Sequence, residues 1–142
     1  MKRRSVLAGL LLSLVAARPA LASELTVSDA WSRTTAPGIP MGVVYLKIHN
    51  GTAKSDRLLK LKASVGSSAE VHRTEIVEGV ARMREVSVLH VGVGERVELA
   101  PGGMHVMLMG LKKPLVEGQM FDLELLFEVA GPRKVKVTVR KP

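Results

Sequence analysis

The chain has 142 residues, a formal net charge of +8, no cysteine, and only four aromatics: Trp31, Tyr45, Phe121 and Phe127. So few rings give no stacking platform for bases, so no nucleic acid partner is expected. Without cysteine there is no disulfide and no thiolate, and any metal site must be built from histidine, methionine and carboxylates.

The first stretch has the make-up of an export signal. Lys2, Arg3 and Arg4 precede an apolar run from Ser5 to Ala17, and Ala20-Leu21-Ala22 has the small-residue pattern of a cleavage site. Residues 1–22 are expected to be a signal peptide cleaved near Ala22, leaving residues 23–142 as one exported β domain. Arg3-Arg4 is compatible with either the twin-arginine or the general secretory route. Taking Lys2, Arg3, Arg4 and Arg18 from the net charge leaves +4 on the remaining 120 residues. That modest positive surface suits an acidic protein partner. No later stretch is long and apolar enough to span a bilayer, so no membrane insertion is expected after cleavage.

The remainder is predicted to be all-β. Short runs rich in β-branched residues recur between Gly, Pro and Asn, and no long 3.6-residue periodicity intervenes. Strands are expected at 25–31, 43–48, 58–63, 69–77, 80–88, 96–99, 104–109, 120–129 and 134–140. Asn50-Gly51 ends the second, Glu78-Gly79 closes a hairpin, and Gly131-Pro132 is expected to join the last two. Leu89 to Gly94 reads as loop. Strands at this spacing point to an immunoglobulin-like or Greek-key sandwich or barrel.

The strand at 104–109 carries the chemistry. His105, Met107 and Met109 share one face, and the backbones of His105 and Met107 lie about 6.6 Å apart, close enough for both side chains to bend onto one atom. The hairpin offers a matching pair. If Val77 pairs with Val80, His72 and Met83 are diagonal neighbours. If the turn slips by one residue they stand opposite each other. Both registers keep them on one face. If the two faces meet, two imidazoles and two neutral thioethers converge, a soft set that selects Cu(I) over Zn²⁺, Mg²⁺ or Ca²⁺. A site closed by four protein ligands leaves no position for a substrate, and no Ser/His/Asp arrangement, paired carboxylates or phosphate loop stands out, so the chain is not expected to be an enzyme. A carrier or store for Cu(I) remains. Ligating imidazoles must be neutral, so affinity is expected to fall below a pH of about 6.5.

The pattern His72-x10-Met83-x21-His105-x-Met107 resembles the signature of the periplasmic copper chaperone family PCuAC. The likeness extends to Val27–Trp31, Ala36-Pro37-Gly38, Tyr45–Asn50, Val97–Gly103 and Leu108–Leu115. It implies a cupredoxin-like β-barrel holding one Cu(I) per chain through His72, Met83, His105 and Met107. It further implies delivery to the CuA centre in subunit II of cytochrome c oxidase, alongside a Sco-type thiol protein, by a monomer. Some members carry a His- and Met-rich C-terminal extension that is absent here, so a single site with weak Cu(II) binding is expected. The residue after the first histidine is often Met in that family and is Arg73 in this chain, where it points to the other face. Two alternatives stay open: a periplasmic protein that sequesters or buffers copper, and a metal-free β-sandwich interaction module. Met104 and Trp31 are expected in the core. Met41 and Met120 are expected to pack, and His49 and His90 to be structural or solvated. Lys54, Arg57, Lys60 and Lys62 are expected to form a solvated face.

Overall fold

The computed structural model describes residues 23–142, so the expected signal segment lies outside the described residues. Ten strands follow in order: β1 Leu25–Arg33, β2 Met41–Asn50, β3 Asp56–Ala63, β4 Ser68–Val77, β5 Val80–Glu85, β6 Leu89–Val91, β7 Arg96–Leu99, β8 Met104–Met109, β9 Met120–Phe127 and β10 Gly131–Arg140. Among the described residues there is no helix long and apolar enough to cross a membrane. Strands β4-β8-β2-β1-β10-β9-β3 form one continuous path, and β3 pairs back onto β4 at Leu61↔Ala69, which closes the sheet on itself. β5, β6 and β7 attach outside this ring to β4, β3 and β2. All pairings are antiparallel except β1 with β10. This is the expected all-β, cupredoxin- and immunoglobulin-like architecture.

Alternation decides what fills the interior. Phe121, Leu123, Leu125 and Phe127 of β9 point inward with Val44, Leu46 and Ile48 of β2, Val106 and Leu108 of β8, and Val71 of β4. Burying side chains of this size stabilises the fold by roughly 1.5–3 kcal/mol each. On β4 and β8 the intervening residues therefore face out, and His72, His105 and Met107 are among them.

Four expectations need correction: Met41 and Met120, expected to pack, are 50% and 58% exposed, and three more concern strand limits and the core. The strand begun at Val80 stops at Glu85, and Leu89–Val91 is a separate strand paired with β3, where Leu89 and Val91 are buried and His90 is exposed. Gly131-Pro132 lies inside β10, paired with Phe127 and Leu126, and the connection is made by residues 128–130. The buried carboxylate of Asp56 holds that turn, accepting from the backbone N–H of Val129 at 2.9 Å, Ala130 at 2.8 Å and Arg57 at 2.7 Å. Trp31, thirdly, is outside the core. A bulge between Ser28 and Trp31, with Asp29 at φ 51°, shifts the register of β1 by one residue. Ala30 and Ser32 then face inward, and Trp31 packs over the buried Tyr45 on the outer side, the rings tilted by 45° with centroids 4.8 Å apart.

The hairpin turn is as tight as Glu78-Gly79 implied. Both residues have positive φ, 51° and 76°, the backbone of a two-residue type I′ turn. Val77 pairs with Val80, which places Met83 opposite Thr74 and diagonal to His72.

Candidate metal centre

β4 and β8 are far apart in sequence but adjacent in the sheet. Their register sets His72 directly opposite His105 and Glu70 opposite Met107. On the other side of β4, His72 faces Glu85 and Thr74 faces Met83. Paired residues share a face, as do residues two apart on a strand, so His72, Met83, His105 and Met107 all lie on the outer face of this part of the barrel. The structure thus places all four residues singled out from sequence on one face and pairs the two histidines directly, with Met107 level with Glu70 and Met83 level with Thr74, on either side of the pair.

The two imidazoles are close neighbours. Their ring centroids are 6.1 Å apart. A metal–nitrogen bond of about 2 Å, plus roughly 1 Å from ring centre to nitrogen, puts two rings sharing one ion roughly 6 Å apart when the bonds are collinear and about 5 Å apart at a tetrahedral angle, so the observed spacing is at the upper limit for one shared ion. Hydrogen bonding fixes both tautomers. Nε2 of His72 lies 3.1 Å from Oε2 of Glu70, and Nδ1 of His105 lies 3.3 Å from the carbonyl oxygen of Gly103. Each oxygen can only accept, so each of these nitrogens carries the proton. The other nitrogens, Nδ1 of His72 and Nε2 of His105, keep their lone pairs, are buried, and have no hydrogen-bond partner. A buried acceptor without a partner is costly, and a bound metal ion removes that cost. A histidine whose second nitrogen donates to a carboxylate or carbonyl is the usual form of a metal ligand.

Burial is graded across the site. His105 is 4% exposed, and continuing the β2–β8 register one step beyond Val44↔Val106 sets Tyr45, capped by Trp31, beside it. Met107 is half-buried, and Met83, on the edge strand, is 58% exposed. Among the described residues there is no cluster of three His, Cys, Asp or Glu, so a hard or borderline cation finds no complete donor set. The donor chemistry is imidazole plus thioether.

Glu70 is the residue that sequence reasoning passed over. Considered as an acid or base it has no partner, and its part is to orient His72. The available signal was its position two residues before His72, on the same face of the same strand. The remaining candidates separate cleanly. Met109 continues the face beyond Met107, opposite Met41 and Ser68. His49 pairs with Thr26 and Arg96, and His90 with Arg57, on other parts of the sheet. Met104 packs partly against the core, and its sulfur lies 3.7 Å from Nη2 of the exposed Arg73.

A family described as "Putative lipoprotein LpqE-like" matches residues 25–139, nearly all of the described chain. The chain belongs to this family. One relative, "Putative lipoprotein Lxx21020" of Leifsonia xyli subsp. xyli (strain CTCB07), is 32% identical over 120 residues, which span 84% of this chain and 71% of the relative. Solved structures similar to this LpqE-like chain are PCuAC domains. The apo PCuAC domain from PmoF1 superposes with a TM-score of 0.68 at 28% identity, covering 84% of this chain and 95% of that domain. CuI-DR1885 from Deinococcus radiodurans gives 0.65 at 27% identity, covering 84% and 82%. The copper-bound PCuAC domain from PmoF2 gives 0.70 at 24% identity, covering 84% and 94%, a likeness of fold. The resemblance drawn from the His/Met spacing therefore holds at the level of family and fold.

Proposed function

We propose that this protein is an exported carrier of Cu(I), holding one ion tightly through His72, Met83, His105 and Met107, and not a catalyst. The observation that carries this is the pair of buried, unpartnered lone pairs on His72 Nδ1 and His105 Nε2, on rings 6.1 Å apart, with both opposite nitrogens already committed to Glu70 and Gly103. Four neutral ligands favour a monovalent ion, and the thioethers select a soft one. The copper-bound relatives of the same fold support the same cargo.

The graded burial provides a route for hand-off. His105 and the Trp31–Tyr45 wall form a fixed floor. Met83 stands on an edge strand whose six residues are all exposed, so an incoming acceptor ligand reaches it first. Thioethers exchange readily and cannot form disulfides in an oxidising compartment. We assign the acceptor as the CuA centre in subunit II of cytochrome c oxidase, with a Sco-type thiol protein as co-worker and the periplasm as location. The lipoprotein names of the relatives support export. These 142 residues contain no cysteine, so a thioether-linked lipid has no attachment point within them.

The test is direct transfer. The Cu(I)-loaded protein is mixed anaerobically with a reduced, metal-free subunit II domain, and copper is measured in each after separation. Stoichiometric movement to the acceptor, slowed when the free acceptor thiols are blocked, supports delivery. Retention on the carrier refutes delivery and leaves copper buffering as its function.

A further inference from the structure

The outer face that carries the candidate metal centre holds a second cluster of soft donors. Met41 of β2 pairs directly with Met109 of β8, and Met107 lies two residues along β8 on the same face. Val44, Val106 and Leu108 fill the core side of these strands, so Met41, Met107 and Met109 all point outward. Directly paired residues have backbones roughly 4.5–5.5 Å apart, and diagonal ones roughly 7–8 Å, within reach of flexible methionine side chains.

Packing does not account for this grouping. Met41 is 50% exposed, and Met41 and Met107 line one open hollow of about 260 Å³ together with Val43 and Arg33. Met41 gains little from burial, Met107 and Met109 are only partly buried, and three adjacent thioethers are not the scattered single apolar residues of an ordinary surface. Two charges flank them. Glu70 stands opposite Met107 on β4, and the Arg33 guanidinium sits over the Tyr45 ring at 5.8 Å. The carboxylate favours a cation at this position, and the guanidinium weakens its hold.

We propose that Met41 and Met109 form a second, weaker site for a soft monovalent cation, Cu(I) or Ag(I), next to the His/Met centre. It does not use the histidines, and Met107 lies between the two positions. An ion displaced from the histidines meets thioethers on this side before it meets water.

The test uses Ag(I), a redox-inert soft cation, added to protein labelled with ¹³C at the methionine methyl groups. In the wild type, the first equivalent is expected to shift the Met83 and Met107 signals. A second, held roughly tenfold or more weakly, shifts those of Met41 and Met109. The double substitution M41L/M109L keeps side-chain volume and is expected to lose only the second equivalent. H72A/H105A is expected to lose the tight equivalent and keep the Met41 and Met109 shifts, so failure of the carrier proposal and failure of this one are read separately. Unmoved Met41 and Met109 signals overturn the second site. Loss of the tight equivalent in folded M41L/M109L also overturns it, by placing those sulfurs in the main centre.

Discussion

Glu70 makes the sharpest test of the metal centre. In Glu70→Ala, His72 loses the carboxylate that accepts from Nε2 at 3.1 Å, so the ring is free to rotate and to protonate the wrong nitrogen. Removing such an orienting partner costs roughly tenfold to a hundredfold in metal affinity. The Glu70 side chain is 40% exposed, so water partly replaces it, and the expected loss is at the lower end, about tenfold or about 1.4 kcal/mol. Glu70→Gln retains an acceptor and is expected to fall in between. The control is Glu85→Ala. Glu85 is paired directly opposite His72 and carries the same charge, but it makes no hydrogen bond to the ring, so its removal should change affinity less than about threefold. Affinities are measured by anaerobic competition against a Cu(I) chelator. The argument fails if Glu70→Ala binds as tightly as wild type. It fails equally if Glu85→Ala loses as much, since the effect would then be one of net charge.

Other outcomes follow from the same structure. Met83→Leu is expected to weaken Cu(I) binding and speed its loss to a chelator, whereas Leu126→Met, at a similarly surface-lying strand position, should do neither; stopped-flow chelator capture measures both. Asp56→Ala leaves three backbone N–H groups of the β9–β10 turn and β3 without their acceptor and should cost roughly 2–4 kcal/mol in urea unfolding at pH 7. Burial pushes the Asp56 carboxyl up, but the backbone N–H groups outweigh it and hold it below the ordinary range. Its contribution is therefore complete above the unfolded-state value of about 3.9 and is lost as pH falls through the lower folded value, so the gap between wild type and Asp56→Ala should narrow only in strong acid. Gly110 closes the ligand-bearing strand at φ +69°, and an added Cβ would clash with Oγ of Ser67 and lie 3.2 Å from its backbone nitrogen. Gly110→Ala should therefore lower stability by roughly 1–3 kcal/mol, read as a drop in melting temperature.

Much of this molecule was determined by sequence alone. Alternation put Val106 and Leu108 on one face and His105 and Met107 on the other, because a strand sends successive side chains to opposite sides. Glu78-Gly79 set the hairpin, because a tight turn that follows the strand twist needs positive φ at both central residues. Together these local rules named His72, Met83, His105 and Met107. What they left open was decided by tertiary structure. The sequence pattern left two hairpin registers open, and the two-residue turn with positive φ at Glu78 and Gly79 is the one adopted, so Val77 meets Val80. The pairing of His72 with His105 joins strands separated by three others in the chain, and no local pattern encodes which distant strands become neighbours. The same holds for the bulge at Asp29 that turns Trp31 outward over Tyr45. Glu70 sits two residues before His72 on one strand face, so its contact with the ring was legible locally, and only the pairing of β4 with β8 sets that ring beside a second imidazole. Periodicity assigns a residue to a face, but closure of the barrel decides what it meets there, because that depends on which strands the whole core brings side by side.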